Sequence, residues 1–139
     1  MYDGPIIDGH THPMLGIGDQ MVAKPHRPGH YRELVSGSAI SRAAALVMAP
    51  KDDLPTTRAR NDAVLRLAED SGGFFFAVCS VHPADGEAAL AEVDRVAAAP
   101  AANSAGALCS TTRAAPSAEV SRCAGRPVGV VGYGGPRRG

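Results

Sequence analysis

The amino-acid sequence predicts an α/β protein built on a parallel sheet. Segments typical of strands alternate with segments of helical periodicity through the first hundred residues. Alternation of this kind produces right-handed strand–helix–strand units whose strands run parallel. A length of 139 residues, 45% of them hydrophobic, suits one domain with a core of its own. No apolar run approaches the ~18 residues that a membrane span requires, so we expect no membrane partner.

The first predicted element is a strand over Pro5–His12 that ends in a loop. Ile6 and Ile7 are β-branched, and Pro13 interrupts the pattern. A short helix is predicted over Gly29–Ser36, where apolar side chains follow helical spacing at Tyr31, Leu34 and Val35.

The next elements are a second strand and a longer helix. Ala43–Ala49 is a short apolar run closed by a proline, which favours a buried strand. A helix is predicted over Thr57–Asp70, with its N-cap at Thr56 or Thr57 and two glycines after its end. The apolar face of this helix comprises Ala63, Val64, Leu67 and Ala68.

The clearest strand signal is Phe74–Val81, a continuous run of aromatic, β-branched and small residues. A strand of this composition is expected to be covered on both faces. His82 and Pro83 close it, and a third helix is predicted to take Asp85 as its N-cap and to end near Ala99.

Charge divides the chain into two parts. Residues 1–100 contain 13 acidic and nine basic side chains, whereas residues 101–139 contain five arginines and one glutamate. The formal net charge of zero gives no basic excess, so a nucleic-acid partner is not favoured. Three cysteines without a CxxC pair, and an N-terminus without a basic signal-peptide region, predict a cytoplasmic protein.

Two histidines at the end of the first strand are the strongest candidates for a functional site. His10 and His12 stand two residues apart, so on a strand both imidazoles leave the same face while Thr11 points to the other. A pair of neutral imidazoles can bind one divalent metal ion, and zinc is the ion we expect. Asp8 has the same parity and is a candidate to orient an imidazole from behind. The alternative is a polar strand end that faces solvent.

His82 ends the third predicted strand, and the carboxyl ends of parallel strands are where α/β proteins place their ligands. We therefore include it as a candidate contact to substrate or metal. The alternative, a turn residue before Pro83, has equal support from the sequence.

These residues resemble a known superfamily. The run Ile7-Asp8-Gly9-His10-Thr11-His12 is similar to the first-strand His-X-His signature of the amidohydrolases, metal-dependent enzymes built on a (β/α)8 TIM barrel. Four later segments resemble one branch of this superfamily, the aminocarboxymuconate-semialdehyde decarboxylase-like enzymes. These segments are Arg60-Asn61-Asp62, Phe74–Val81, His82-Pro83 and Glu87–Val96. TatD-like deoxyribonucleases share the first strand and the His-Pro step, so they are the second possibility.

The resemblance implies a fold, a cofactor and a reaction class. Residues 1–100 would be the N-terminal part of a TIM barrel, with about three to four strand–helix units. A divalent metal held by His10 and His12 would activate water for hydrolysis, or polarise a carbonyl for decarboxylation, on a small-molecule substrate. Family members draw further ligands and an aspartate base from later strands.

The sequence departs from that pattern after residue 100. No histidine follows His82, no aspartate follows Asp94, and a complete barrel needs about 250 residues. We therefore expect this chain to be truncated and inactive by itself, and its exposed strand edges to permit self-association. A non-catalytic α/β binding domain is the remaining alternative.

Residues 101–139, called the tail below, are rich in Ala, Gly, Arg, Ser, Pro and Thr. This composition predicts an irregular, low-complexity segment, either disordered or translated from a shifted reading frame. The frame hypothesis requires another frame of the gene to restore strands, helices and new His or Asp residues after codon 100.

Overall fold

The computed structural model describes residues 4–13, 15 and 30–100, together with the backbone of two short strands in the tail. Its strands form one sheet in the order β1-β2-β3-β4-β5, and each strand runs parallel to its neighbours. The prediction of a mixed α/β fold with parallel strands is confirmed. The elements are β1 (Ile6–Thr11), α1 (His30–Leu34), β2 (Ile40–Leu46), α2 (Leu54–Asp70), β3 (Phe75–Val81), a 3-10 turn (Pro83–Asp85), α3 (Glu87–Ala97), β4 (Leu108–Thr111) and β5 (Gly129–Gly132).

The core lies around β3. Every residue of this strand except Phe76 is buried, as its continuous apolar sequence predicts. On one face it packs with β2 and α2, and Phe75 is the largest side chain there. Three consecutive alanines of β2 are buried beside it, because their small side chains let the neighbouring elements approach closely. The second strand begins and ends three residues earlier than predicted, since Ile40 already pairs with Ile6 of β1.

The longer helix, α2, begins three residues before its predicted start. Asp53 is the N-cap, where its Oδ1 accepts a hydrogen bond of 3.0 Å from the backbone N–H of Thr56. Pro55 occupies the first turn, where a missing N–H costs nothing. The prediction of a threonine cap is therefore wrong, because the helix already begins at Leu54 and places Thr56 and Thr57 inside its first turn. Gly72 and Gly73 follow the helix with φ of 61° and 86°, which side chains with a Cβ rarely adopt.

The other helices also differ from prediction at their ends. Asp85 does not cap α3. It lies in the 3-10 turn and accepts a hydrogen bond from the backbone N–H of Asp52, while Gly86, with φ of 53°, precedes the helix. Tyr31 of α1 and Val35, just after this helix, pack against the core, whereas Leu34 is 68% exposed because the short helix has only one face on the sheet.

A buried polar network joins the helices to the sheet. Asn61 of α2 has no exposed surface, and its side chain donates 3.0 Å to the carbonyl of Ser80 and accepts 3.0 Å from the N–H of the same residue. The amide also donates 2.9 Å to Glu92 of α3, which is equally buried. Ser80 Oγ in turn accepts from the backbone N–H of Ala49, just beyond β2. One set of contacts therefore fixes two helices and two strands.

The carboxylate of Glu92 is neutralised within this network. Arg95 donates to both of its oxygens at 2.8 Å, and Arg58 reaches one of them at 3.3 Å. Burial by itself would raise the pKa of the Glu92 carboxyl, but the hydrogen bonds from Arg95 and Asn61 outweigh it and lower that pKa below its ordinary value. Among the described residues, Thr57 Oγ1 is the one buried side-chain oxygen or nitrogen without a partner.

The tail contributes the backbone of β4 and β5, so part of the segment that we expected to be irregular is strand. β4 pairs with β3 from Leu108 to Thr111, and β5 pairs with β4. The remaining residues of the tail lie outside the described part of the chain, and its origin in a shifted frame stays a prediction. Within the described residues, no helix has both the length and the apolar character to cross a membrane. Self-association through the sheet edges also stays a prediction.

We predict that Asn61→Ala lowers the free energy of unfolding by about 3 kcal/mol, because it leaves the N–H and carbonyl of Ser80 buried without partners. Urea denaturation at neutral pH measures this. Arg66→Ala, on the exposed side of the same helix, is the matched control and should change stability by no more than about 0.5 kcal/mol. A loss at Asn61 no larger than that of the control would contradict the network's role.

The lowered pKa of Glu92 also predicts a pH dependence of stability. The folded chain holds this carboxyl ionised at a pH where the unfolded chain, with the ordinary value of 4.5, begins to protonate. The stabilisation is therefore complete above pH 4.5 and is lost as the pH falls through the folded pKa. Below pH 4.5 the wild-type slope should exceed that of Glu92→Gln by up to about 1.4 kcal/mol per pH unit. Equal slopes in the two proteins would exclude this contribution.

Candidate metal centre

The candidate site begins with an irregularity in β1. This strand pairs with β2, but Asp8 aligns with Ala43 while Thr11 aligns with Ala45, so β1 contains one extra residue between them. Such a β-bulge changes the direction of the side chains around it and leaves a backbone group without a ladder partner. Here the N–H of His10 donates 3.0 Å to the carboxylate Oδ1 of Asp8.

The two imidazoles of His10 and His12 lie side by side at the end of this strand. Their Nε2 atoms lie 3.0 Å apart, and the ring centroids are separated by 4.8 Å with the rings nearly perpendicular. Both side chains are exposed, whereas Thr11 between them is buried and its hydroxyl donates 2.7 Å to the carbonyl of Ala44. The strand end therefore presents two nitrogen atoms to one point in solvent.

A contact to the neighbouring strand determines the tautomer of His12. Its Nδ1 lies 3.2 Å from the backbone carbonyl oxygen of Leu46. Because a carbonyl oxygen can only accept, Nδ1 carries the proton and Nε2 keeps its lone pair. His10 then donates from its own Nε2 to that lone pair when no other group lies between the rings. A proton on Nδ1 held by a carbonyl is the arrangement that prepares Nε2 of a histidine to bind a metal.

Asp8 acts on the backbone of this site. One carboxylate oxygen accepts the N–H of His10, and the other accepts a hydrogen bond from the hydroxyl of Tyr31 in α1. The Tyr31 hydrogen bond, with that from His10, lowers the pKa of the Asp8 carboxyl. The same bond raises the pKa of Tyr31 to about 12, since the phenol keeps the proton that it donates. Asp8, expected behind an imidazole, thus holds the peptide group of His10.

The spacing of the two nitrogen atoms fits a shared metal ion. Zinc binds imidazole nitrogen at about 2.0–2.1 Å, so two ligands lie about 3.3 Å apart at a tetrahedral angle and about 2.9 Å apart at a right angle. The observed 3.0 Å between the Nε2 atoms falls within that interval. Across the described residues, no group of three His, Cys, Asp or Glu side chains assembles around one point, so the candidate ligands in this part of the chain are the two imidazoles.

The structure places His82 away from the imidazole pair. In the register of the sheet Thr11 aligns with Ala45 and Ala45 with Ala77, so His82 lies four residues farther along the strand direction than His12. That offset corresponds to about 13 Å, and β3 is two strand positions from β1, which adds about 10 Å sideways.

The ring of His82 has a local role. It caps the 3-10 turn, where its Nδ1 accepts 3.2 Å from the N–H of Ala84. A neutral His82 therefore carries its proton on Nε2 and presents a hydrogen-bond donor rather than a lone pair. This arrangement matches the turn interpretation, and a contact of His82 with substrate or metal stays a prediction.

Sequence reasoning missed three parts of this site, namely the bulge, the carbonyl of Leu46 and the hydroxyl of Tyr31. Leu46 lies 34 residues from His12 and Tyr31 lies 23 residues from Asp8, so no local pattern connects them. The loop residues 14 and 16–29, which include His26, lie outside the described residues, as do the side chains of Cys109 and Cys123.

Comparison with protein-family models, with curated proteins and with solved structures finds no match to this chain. The resemblance to the amidohydrolases stays a prediction from the sequence motifs.

We predict that the two rings show opposite tautomers in solution. In uniformly 15N-labelled protein at pH 8, long-range proton–nitrogen correlations should place the proton of His12 on Nδ1 and that of His82 on Nε2. His12→Ala and His82→Ala assign the signals. A His12 ring with its proton on Nε2 would contradict the contact to Leu46.

Proposed function

We propose that His10 and His12 together bind one divalent metal ion, preferably zinc, and that the chain is the metal-holding part of an amidohydrolase-type hydrolase. The observation that carries the proposal is the 3.0 Å separation of the two Nε2 atoms, with the lone pair of His12 directed between the rings by the Leu46 carbonyl. Without an ion the same 3.0 Å separation is an imidazole–imidazole hydrogen bond, so the ion would replace the proton between the two nitrogen atoms.

The topology supports a barrel of the (β/α)8 type as the parent fold. The strand order advances one position at a time, from β1 to β5, without the reversal that defines a doubly wound sheet. The helices α2 and α3 touch each other and both pack on β3, as neighbouring helices of a barrel do. The imidazole pair lies at the carboxyl end of its strand, the end at which barrel enzymes carry their sites.

A divalent metal held there would supply a Lewis acid for activating water or for polarising a substrate carbonyl. The residues of the chain then have distinct tasks. His10 and His12 would hold the ion, and Asp8 fixes the peptide of His10. Residues other than this pair would determine whether the reaction is a hydrolysis or a decarboxylation.

Two imidazoles leave half of a tetrahedral zinc shell to other ligands, whereas catalytic zinc sites have three protein ligands and one open position. We therefore propose that this chain binds metal but does not turn over substrate by itself. With only two histidine ligands the affinity for the metal should also be moderate, because each missing protein ligand removes part of the binding free energy.

We predict that the purified chain binds about one zinc ion at a site that His10→Ala and His12→Ala each abolish. Equilibrium dialysis followed by elemental analysis measures the stoichiometry. His30→Ala removes an imidazole from α1 and is the matched control; it should bind zinc like the wild type, as should His82→Ala, whose ring lies far from the pair.

Two outcomes would contradict this proposal in different ways. Absence of zinc binding, or binding that persists in His10→Ala, would overturn the metal site and favour a non-catalytic binding domain. Hydrolysis or decarboxylation by the zinc-loaded chain that disappears in His10→Ala would confirm the site but overturn the expected inactivity.

A further inference from the structure

We propose that Tyr31 is a positioning residue for the imidazole pair, acting through Asp8 on the backbone of His10. The inference rests on the proposed metal site only for its effect on metal affinity. The underlying geometry is a chain of two hydrogen bonds, from the Tyr31 hydroxyl to one oxygen of Asp8 and from the His10 N–H to the other.

The first link is the bulge itself. The extra residue of β1 lies between Asp8 and Thr11, so this part of the strand deviates from the regular ladder with β2. The N–H of His10 takes a carboxylate oxygen of its own strand as its partner. The orientation of the His10 peptide, and with it the direction of the imidazole, therefore depends on where the Asp8 carboxylate points.

The second link fixes that carboxylate. Asp8 is short and lies at a half-buried position on the edge strand β1, where water can compete for its oxygens. Its second oxygen is held by Tyr31, a residue of α1 rather than of the sheet. Because the two oxygens of a carboxylate are rigidly connected, holding one of them restricts rotation of the other.

The third link fixes Tyr31. Its ring packs against the main core cluster, and its centroid lies 6.4 Å from that of Phe75, which is 1% exposed. Packing of the ring therefore fixes the position of the Tyr31 hydroxyl. The core of the sheet is connected in this way to an exposed site on the edge strand.

Removing only the Tyr31 hydroxyl should release the site without disturbing the core. In Tyr31→Phe the ring keeps its packing, but Asp8 can rotate toward water and the His10 peptide loses its fixed acceptor. The two imidazoles then separate. Ser36→Ala is the matched control. It also removes a hydroxyl, just after α1, but that hydroxyl donates to the carbonyl of Glu33 and not to Asp8.

The test that needs no metal is nuclear Overhauser contact between the ring protons of His10 and His12, with signals assigned through the alanine variants of the five histidines. We expect the contact in wild type and in Ser36→Ala, and its loss in Tyr31→Phe. A contact that is unchanged in Tyr31→Phe, or absent from the wild type, would overturn the positioning role.

Zinc titration of the same proteins then separates this inference from the proposed function. Loss of a group that orients a metal ligand reduces affinity by about 10–100-fold, and we expect a value of about tenfold for Tyr31→Phe. Asp8→Asn should cause a similar loss, and the double variant no more than either single one, since both act in one chain of contacts. Wild type that binds no zinc refutes the metal site, whereas equal affinity in wild type and Tyr31→Phe refutes only the role of Tyr31.

Discussion

The fold depends on one requirement: the buried carboxylate of Glu92 needs hydrogen-bond partners and opposite charge from the protein in place of water. A fully buried charge is costly unless it is paired and hydrogen-bonded. Arg95 and Arg58 supply the opposite charge from their partly exposed positions, and Asn61 supplies the neutral donor from the interior. Because Asn61 also bonds both backbone groups of Ser80, the same side chain connects α2 to β3 and to Glu92 of α3. The apolar core provides most of the driving force, and loss of any member of this network would leave a buried polar group without a partner.

The edge of the sheet is organised by a different principle. β1 has exposed isoleucines and a bulge, so apolar packing alone does not define the positions of its side chains. Local geometry there comes from individual hydrogen bonds to groups that the rest of the fold has already placed. They are the carbonyl of Leu46, the carbonyl of Ala44 and the hydroxyl of Tyr31. An exposed pair of imidazoles can thus be ordered without being buried, which a site that must admit a ligand requires.

The features that the sequence predicted are those encoded by neighbouring residues. Phe74–Val81 has the composition of a covered strand, and the face of α2 that contains Val64 and Ala68 repeats with helical spacing. The spacing of the His-X-His run places two imidazoles on one face. The start of α2 could not be predicted as easily, because a proline is compatible both with a loop and with a first helical turn. The burial of Glu92 and the link from Tyr31 to Asp8 depend on contacts between elements 23 to 34 residues apart, for which sequence periodicity has no signal.

The contact of His12 with Leu46 means that the imidazole pair belongs to two strands at once. The pair exists only while β1 is docked on β2, since the acceptor that sets the tautomer is on the other strand. An ion that binds this pair would bind only the state in which β1 is paired with β2. By mass action it would stabilise that pairing. Binding of an ion would then slow hydrogen exchange at the backbone amides of β1.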